Sequence, residues 1–217
     1  MKKLVIFDLD GTLLNTIADL ACATNHALTC CGFPTHETDE YCHFVGRGIN
    51  NLFRSALPEA ERTDKNVLRM RAAFLPYYNE HNAEKSKPYE GITEVLEELH
   101  NAGLSLAVAS NKYQQATEKL IRFFFPSISF CAVLGQREGF PIKPDPSIVH
   151  LILETAGVSV SEALYVGDSG IDMQTAANAQ VDSVGVTWGF RSAEELRANG
   201  AKQLAHTPDD ILRIALS

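Results

Sequence analysis

The chain has no unbroken run of the ~18 apolar residues that a membrane-spanning helix requires. Nor does it open on a charged segment followed by a long apolar one, because Met1-Lys2-Lys3 runs directly into Leu4-Val5-Ile6-Phe7. Lys and Arg form no cluster, and a net charge of −8 argues against a general nucleic-acid surface. The five cysteines (Cys22, Cys30, Cys31, Cys42, Cys131) are an odd count without zinc-type spacing. Adjacent Cys30 and Cys31 make a poor bridging or chelating pair, so these thiols read as reduced, small apolar side chains. The seven histidines are scattered without metal-ligand spacing, and there is no repeat, low-complexity tract or heptad seam. These absences point to a cytoplasmic protein with neither a membrane nor a nucleic acid as partner.

What is present is enough for a sizeable core: 217 residues, 45% hydrophobic and 21% charged, allow one large or two modest domains. The chain is organised around its opening stretch. Leu4 to Phe7 read as a strand buried on both faces, and Asp8-Leu9-Asp10-Gly11-Thr12 follow at once. If the backbone stays extended, Asp8 and Asp10 point the same way while Leu9 turns back into the core. Thr16-Ile17-Ala18-Asp19 has capping-box character and predicts a helix ending at Gly32. From Thr35 to Lys87 the pattern is helical (39–44, 49–57 and 64–81), with no convincing strand.

After Pro88 strands and helices alternate. Helices are expected at 92–100, 113–124, from Asp145-Pro146 to Gly157, and at 172–179; strands are expected at 104–109, 130–134, 163–166 and 183–187. Ser192 and Thr207 open two more helices, with a short strand at Leu204-Ala205 between them. Such alternation predicts an α/β fold, a Rossmann-like parallel sheet with helices on both faces and an all-helical insertion. Residues 1–14 and 88–217 would form the core domain and 15–87 the inserted one.

Ligands of open parallel sheets bind beyond the carboxyl ends of the strands, so the residues there carry the function. They are Asp8 and Asp10, then Ser110 and Asn111, then Gly167, Asp168 and Asp172, with Lys143 before the Asp145 helix. Four carboxylates in one cleft repel strongly unless a cation sits among them. Oxygen ligands without His or Cys favour Mg²⁺, and the cation together with Lys143 and backbone amides describes a phosphate site. A phosphoryl group held there would lie open to a carboxylate nucleophile.

Asp8-Leu9-Asp10-Gly11-Thr12, the Ser110 strand end, Lys143-Pro144 and Gly167-Asp168-Ser169-Gly170-Ile171-Asp172 resemble the four ordered motifs of the haloacid dehalogenase superfamily, over essentially the whole chain. The helical insertion resembles that superfamily's α-helical cap. The Gly46-Arg47-Gly48 segment and the tail Gly185 to Arg191 are most similar to its phosphoglycolate phosphatases. The resemblance implies a Mg²⁺-dependent phosphatase acting on a small phosphorylated metabolite, 2-phosphoglycolate first, as a monomer or weak homodimer. Asp8 would be the nucleophile, and Asp10 would protonate the leaving alcohol and then activate water. Asp8, Asp168 and the Asp10 main-chain carbonyl would hold Mg²⁺, with Asp172 as a further ligand or support. Ser110, Lys143 and the Gly11 or Thr12 amides would hold the phosphoryl oxygens, with Asn111 as a neighbour and Arg47 as a cap contact to a substrate carboxylate.

Each position also has a plainer reading: a solvated turn for the first acids, helix capping for Asp168 and Asp172, a strand end for Ser110, a cap for Asn111 and a solvated loop for Arg47. Trp188 and Phe190 read as packing at the sheet end. Asn15 departs from the acid found there in many relatives, at the hinge into the cap. Two other functions use the same motifs: a sugar-phosphate mutase of the β-phosphoglucomutase type, and a non-catalytic protein that binds phosphoryl groups.

Overall fold

Alternate residues of the first strand feed opposite sides of a sheet. In β1 (Leu4–Phe7), Val5 and Phe7 join one buried cluster, Leu4 and Ile6 another, and all four are fully buried. At roughly 1.5–3 kcal/mol per large apolar side chain, this strand alone supplies on the order of 10 kcal/mol of gross burial free energy. The computed structural model describes residues 2–217.

The chain continues through β2 (Leu14–Asn15), α1 (Ile17–Cys31), α2 (Tyr41–Phe44), α3 (Ile49–Ala56), α4 (Asp64–His81), β3 (Lys87–Pro88) and α5 (Ile92–Asn101). Then come β4 (Ser105–Tyr113), α6 (Gln114–Phe124), β5 (Ala132–Gln136), α7 (Ser147–Ala156), β6 (Ala163–Gly167) and α8 (Gly170–Asn178). The last elements are β7 (Asp182–Val186), α9 (Ala193–Ala198), β8 (Gln203–Ala205) and α10 (Pro208–Leu216).

Six strands form one parallel sheet in the order β5-β4-β1-β6-β7-β8. The α/β class read from the sequence is therefore the fold observed. β1 sits between β4 and β6, where the strand order changes direction, and this is where an open sheet leaves a crevice at its carboxyl edge. Helices α5, α6 and α10 supply Leu96, Leu120 and Ile211 to the cluster on one face, while α7 and α8 supply Ile152 and Ala176 on the other. No helix among the described residues is long and apolar enough to cross a membrane.

Helices α1 to α4 build a third cluster of their own, around Leu28, Phe53, Met70 and Phe74. The chain leaves the sheet for these helices through β2 and returns through β3. The two pair antiparallel, Leu14 with Pro88 and Asn15 with Lys87, a short ribbon that the expected elements did not include.

The expected capping box at the start of α1 is not made. The Thr16 side chain bonds no α1 amide, because its hydroxyl donates to Asp10 Oδ1 at 2.6 Å. Its supposed partner Asp19 accepts from Lys85 N, Ser86 N and the Ser86 hydroxyl at 2.7–3.0 Å. Residues with capping chemistry have been drawn to partners in other segments, one in the crevice and one beside β3.

Candidate active site

The tight turn after β1 is built by its own backbone. The Gly11 amide donates to Leu14 O at 2.8 Å and the Thr12 amide to Leu9 O at 3.3 Å. Those amides, expected to hold a phosphoryl group, are thus already committed to the turn. The Leu9 and Asp10 amides instead have no acceptor among the described residues and are the free donors beside Asp8. Gly11 adopts φ 89°, and a Cβ there would lie 2.2 Å from Asp168 Oδ2, so only glycine lets the turn approach this acid.

Lys143 is the hub of the crevice. Its ammonium lies 2.9 Å from Asp8 Oδ1, 2.7 Å from Asp172 Oδ1, 2.9 Å from the Ala109 carbonyl and 3.1 Å from the Tyr165 hydroxyl. Burial works to lower its pKa, but Asp172 and Asp8 overcome that and hold it well above the ordinary lysine value. Asp172 also caps α8: its other oxygen accepts from the Ser169 amide and hydroxyl at 3.1 and 2.6 Å, while Ser169 caps the Asp172 amide. Asp172 thus both caps α8 and pairs with Lys143 in the crevice.

Asp168 is 2% exposed and receives the Phe190 amide at 2.7 Å and the Thr12 hydroxyl at 3.4 Å. Burial first, then the charges of Asp172 and Asp8, push its carboxyl well above the usual range. Asp8 rises to about 7 for the same reasons, burial leading and Asp172 next, with Lys143 opposing. One carboxylate oxygen each from Asp8, Asp168 and Asp172 lie within 4.8 Å of one another. Three carboxylates against one ammonium leave two negative charges in a buried site, which fits a divalent cation held by oxygen ligands. The Asp10 side chain is not part of that group.

Asp10 faces the other way, toward Thr16 and toward Lys112, whose ammonium is 3.0 Å from Asp10 Oδ1. Burial works to lower the Lys112 pKa, but Asp10 and Tyr78 overcome it and raise the value above the ordinary one. Ser110 Oγ accepts from the Lys112 amide at 3.2 Å, which leaves the serine proton free to donate into the crevice. The Asn111 side chain lies between three segments, donating to Gly46 O at 3.0 Å and Lys143 O at 3.1 Å and accepting from Lys143 N at 2.9 Å.

These groups line a cavity of about 60 Å³ beneath the helical unit, with Leu20, Ile49, Leu52, Phe74 and Tyr78 on its far wall. Arg47 is not brought there. The core grips the backbone just before it, through Asn111 on Gly46 O and Arg191 on the carbonyls of Cys42 and Val45. Arg47 itself is exposed and lines a separate polar groove of about 480 Å³ with Glu195 and Asn199. It sits between two positive-φ glycines, Gly46 and Gly48. Trp188 packs against the core and donates to Thr12 O at 3.1 Å, while Phe190 joins the helical cluster and the cavity wall.

Sequence reasoning missed Lys112, Tyr78 and Tyr165. Lys112 escaped because β4 runs on to Tyr113 through an irregular stretch after Ala109, where the simple alternation of a strand does not hold. Tyr78 continues the buried stripe Met70, Phe74, Tyr78 of α4, and that stripe alone reads as core.

Residues 5–186 match the family described as "Haloacid dehalogenase-like hydrolase". The phosphoglycolate phosphatase of Vibrio parahaemolyticus is 32% identical over 98% of this chain and 95% of its own length. That of Agrobacterium fabrum is 35% identical over 88% and 82%. Among solved structures, a Lactobacillus delbrueckii subsp. bulgaricus protein provisionally named phosphoglycolate phosphatase superposes with a TM-score of 0.92 at 34% identity, covering 99% of both chains.

Proposed function

Because the chain belongs to the haloacid dehalogenase-like hydrolases and is a phosphoric monoester hydrolase of that family, we propose that it dephosphorylates 2-phosphoglycolate, the substrate in the names of its relatives. The observation that carries the reading is the opposed placement of the two aspartates behind β1. Asp8 joins Lys143, Asp168 and Asp172, while Asp10 turns toward Thr16 and Lys112.

In the first half-reaction an Asp8 carboxylate oxygen attacks phosphorus, the bond from phosphorus to the ester oxygen breaks, and Asp10 delivers a proton to the departing alkoxide. In the second, a water gives a proton to Asp10 and attacks the aspartyl-phosphate, so that the Asp8 oxygen leaves and inorganic phosphate is freed. Asp10 thereby returns to its starting state, and one carboxyl serves both steps. Lys143, the Ser110 hydroxyl and the Leu9 and Asp10 amides hold the phosphoryl oxygens as negative charge gathers on them. Asp8, Asp168, Asp172 and the Asp10 carbonyl are the groups that would hold Mg²⁺, which when bound offsets the repulsion between carboxylate and phosphate. The helices of 15–87 act as a cap over the core of 1–14 and 88–217, excluding bulk water from the aspartyl-phosphate. All five cysteines are free thiols, which supports a cytoplasmic site of action.

The test is phosphate release from 2-phosphoglycolate and a panel of small monoesters in Mg²⁺. Asp8→Asn should lower kcat by at least about 1,000-fold. Retained activity in Asp8→Asn, or isomerisation of a sugar phosphate without net release, would sink the proposal.

A further inference from the structure

The cavity wall opposite the phosphoryl site is apolar except at one place. Tyr78, fully buried, lines the cavity beside Lys112, and its hydroxyl has no well-aligned hydrogen-bond partner among the described residues. A buried hydroxyl without a partner costs about 1–3 kcal/mol, so its retention calls for a ligand group. The ring is fixed in place, stacked on Phe74 at 4.9 Å and edge-on to Tyr113 at 6.4 Å. The Lys112 ammonium lies 5.0 Å over the same ring, and its side chain is only 4% exposed. One ammonium and one phenol, presented by a core strand and a cap helix, thus converge beside Asp10.

We propose that Lys112 and Tyr78 form the subsite that recognises a carboxylate on the leaving group, one carbon removed from the ester carbon. The inference rests on the phosphatase reading above. Its geometry follows from Asp10, which must reach the ester oxygen to protonate it. Lys112 Nζ stands 3.0 Å from Asp10 Oδ1. In a phosphorylated 2-hydroxy acid the ester oxygen and the nearer carboxylate oxygen are also about 3 Å apart by standard bond lengths. Oδ1 is held by Thr16 and Lys112, so the free Oδ2 meets the ester oxygen and the carboxylate on the next carbon falls on the side of the Lys112 ammonium. Charge decides the class of ligand: a carboxylate offers acceptors to both donors, and in a buried apolar setting it is held far better by an ammonium than a neutral hydroxyl is. Arg47, exposed in the outer groove, has no part in this subsite.

The experiment compares kcat/KM for 2-phosphoglycolate with that for ethyl phosphate, which lacks only the carboxylate oxygens, in wild type, Tyr78→Phe and Lys112→Met. The readout is the ratio of the two substrates, so any loss common to both cancels. Tyr78→Phe, which keeps the ring and its packing, should lower the ratio roughly tenfold, and Lys112→Met should lower it more. Lys112→Arg, which keeps the charge, should recover part of it. If both substrates fall equally in Tyr78→Phe and Lys112→Met, the subsite is overturned and the phosphatase stands. If wild type frees phosphate from no monoester, both readings fall together.

Discussion

The Thr16 hydroxyl donates to Asp10 Oδ1 at 2.6 Å, so the residue that leads into the first cap helix also fixes the side chain assigned to proton transfer. Asp10 keeps a single rotamer because Thr16 and Lys112 hold the same oxygen. That leaves Asp10 Oδ2 as its unengaged oxygen, the one available to the leaving group.

Thr16→Val conserves shape and removes the donor. With Lys112 as its only partner, Asp10 should lose its fixed aim, and kcat should fall roughly tenfold with KM little changed. Thr16→Ser should restore most of the rate. Steady-state assays with 2-phosphoglycolate decide the matter; an unchanged kcat in the valine variant would show that this hydrogen bond has no part in turnover.

The cluster of carboxylates couples metal binding to pH. Without the ion, Asp8 is pushed from its ordinary 3.8 to about 7, burial leading and Asp172 next. Between those two values the unfolded chain loses this proton while the metal-free fold retains it, so the metal-free protein loses stability as pH rises toward 7. Mg²⁺ must displace that proton, so its protection against thermal unfolding should grow as pH rises through about 7 and fade as pH falls below it. At 100 times its Kd the ion adds about 2.7 kcal/mol. Asp168→Asn should abolish the Mg²⁺-dependent rise in Tm yet melt no lower than wild type in chelator, since it removes a buried carboxylate that no cationic side chain contacts. Scanning fluorimetry from pH 5.5 to 8.5 with Mg²⁺ or EDTA provides the check, and pH-independent protection would contradict it.

Residue pattern made the sheet legible because β1, β4 and β6 are buried on both faces, and their continuous apolar runs have no other explanation. Asp8 and Asp168 were legible because acids directly after such strands have one edge to share, and Lys143 and Asp172 because they stand by the helices that follow at that edge. What escaped were contacts set by tertiary placement. Thr16 and Asp19 have ideal capping chemistry, and only the folded chain shows that Asp10 and the Ser86 amide compete for them. Arg47 was a cap contact only by resemblance, and its plainer reading as a solvated loop residue agrees with its place in the outer groove. Tyr78 carries an aromatic body that fits a core stripe, and sequence does not reveal that the residue lines the cavity with its hydroxyl unpartnered.

Gly189 is required for another reason than backbone freedom. A Cβ there would lie 2.3 Å from Asp168 Cβ and 2.5 Å from Gly11 O, so the segment after β7 can pass this acid only as glycine. Gly189→Ala should push the segment away, break the bond from Phe190 N to Asp168 Oδ2, and weaken apparent Mg²⁺ affinity by roughly tenfold or more. Calorimetric titration of Mg²⁺ reads this directly. Wild-type affinity in the alanine variant would mean that the Phe190 amide does not orient Asp168.

Asp19 is the firmest tie between the start of the helical unit and its return. It is 3% exposed and accepts the amides of Lys85 and Ser86 and the Ser86 hydroxyl, across more than 60 residues of chain. Asp19→Ala strands three donors at once, and three hydrogen bonds to a buried carboxylate outweigh any gain from removing one charge. The expected loss is about 3 kcal/mol, seen as a lower urea midpoint with an unchanged m-value. Asp19→Asn should fall between, because its carbonyl keeps one acceptor while its amide group faces donors. If Asp19→Ala instead left the midpoint in place and only raised KM, the tie would act on cap position alone, and the β2–β3 ribbon would be what holds the two parts of the chain together.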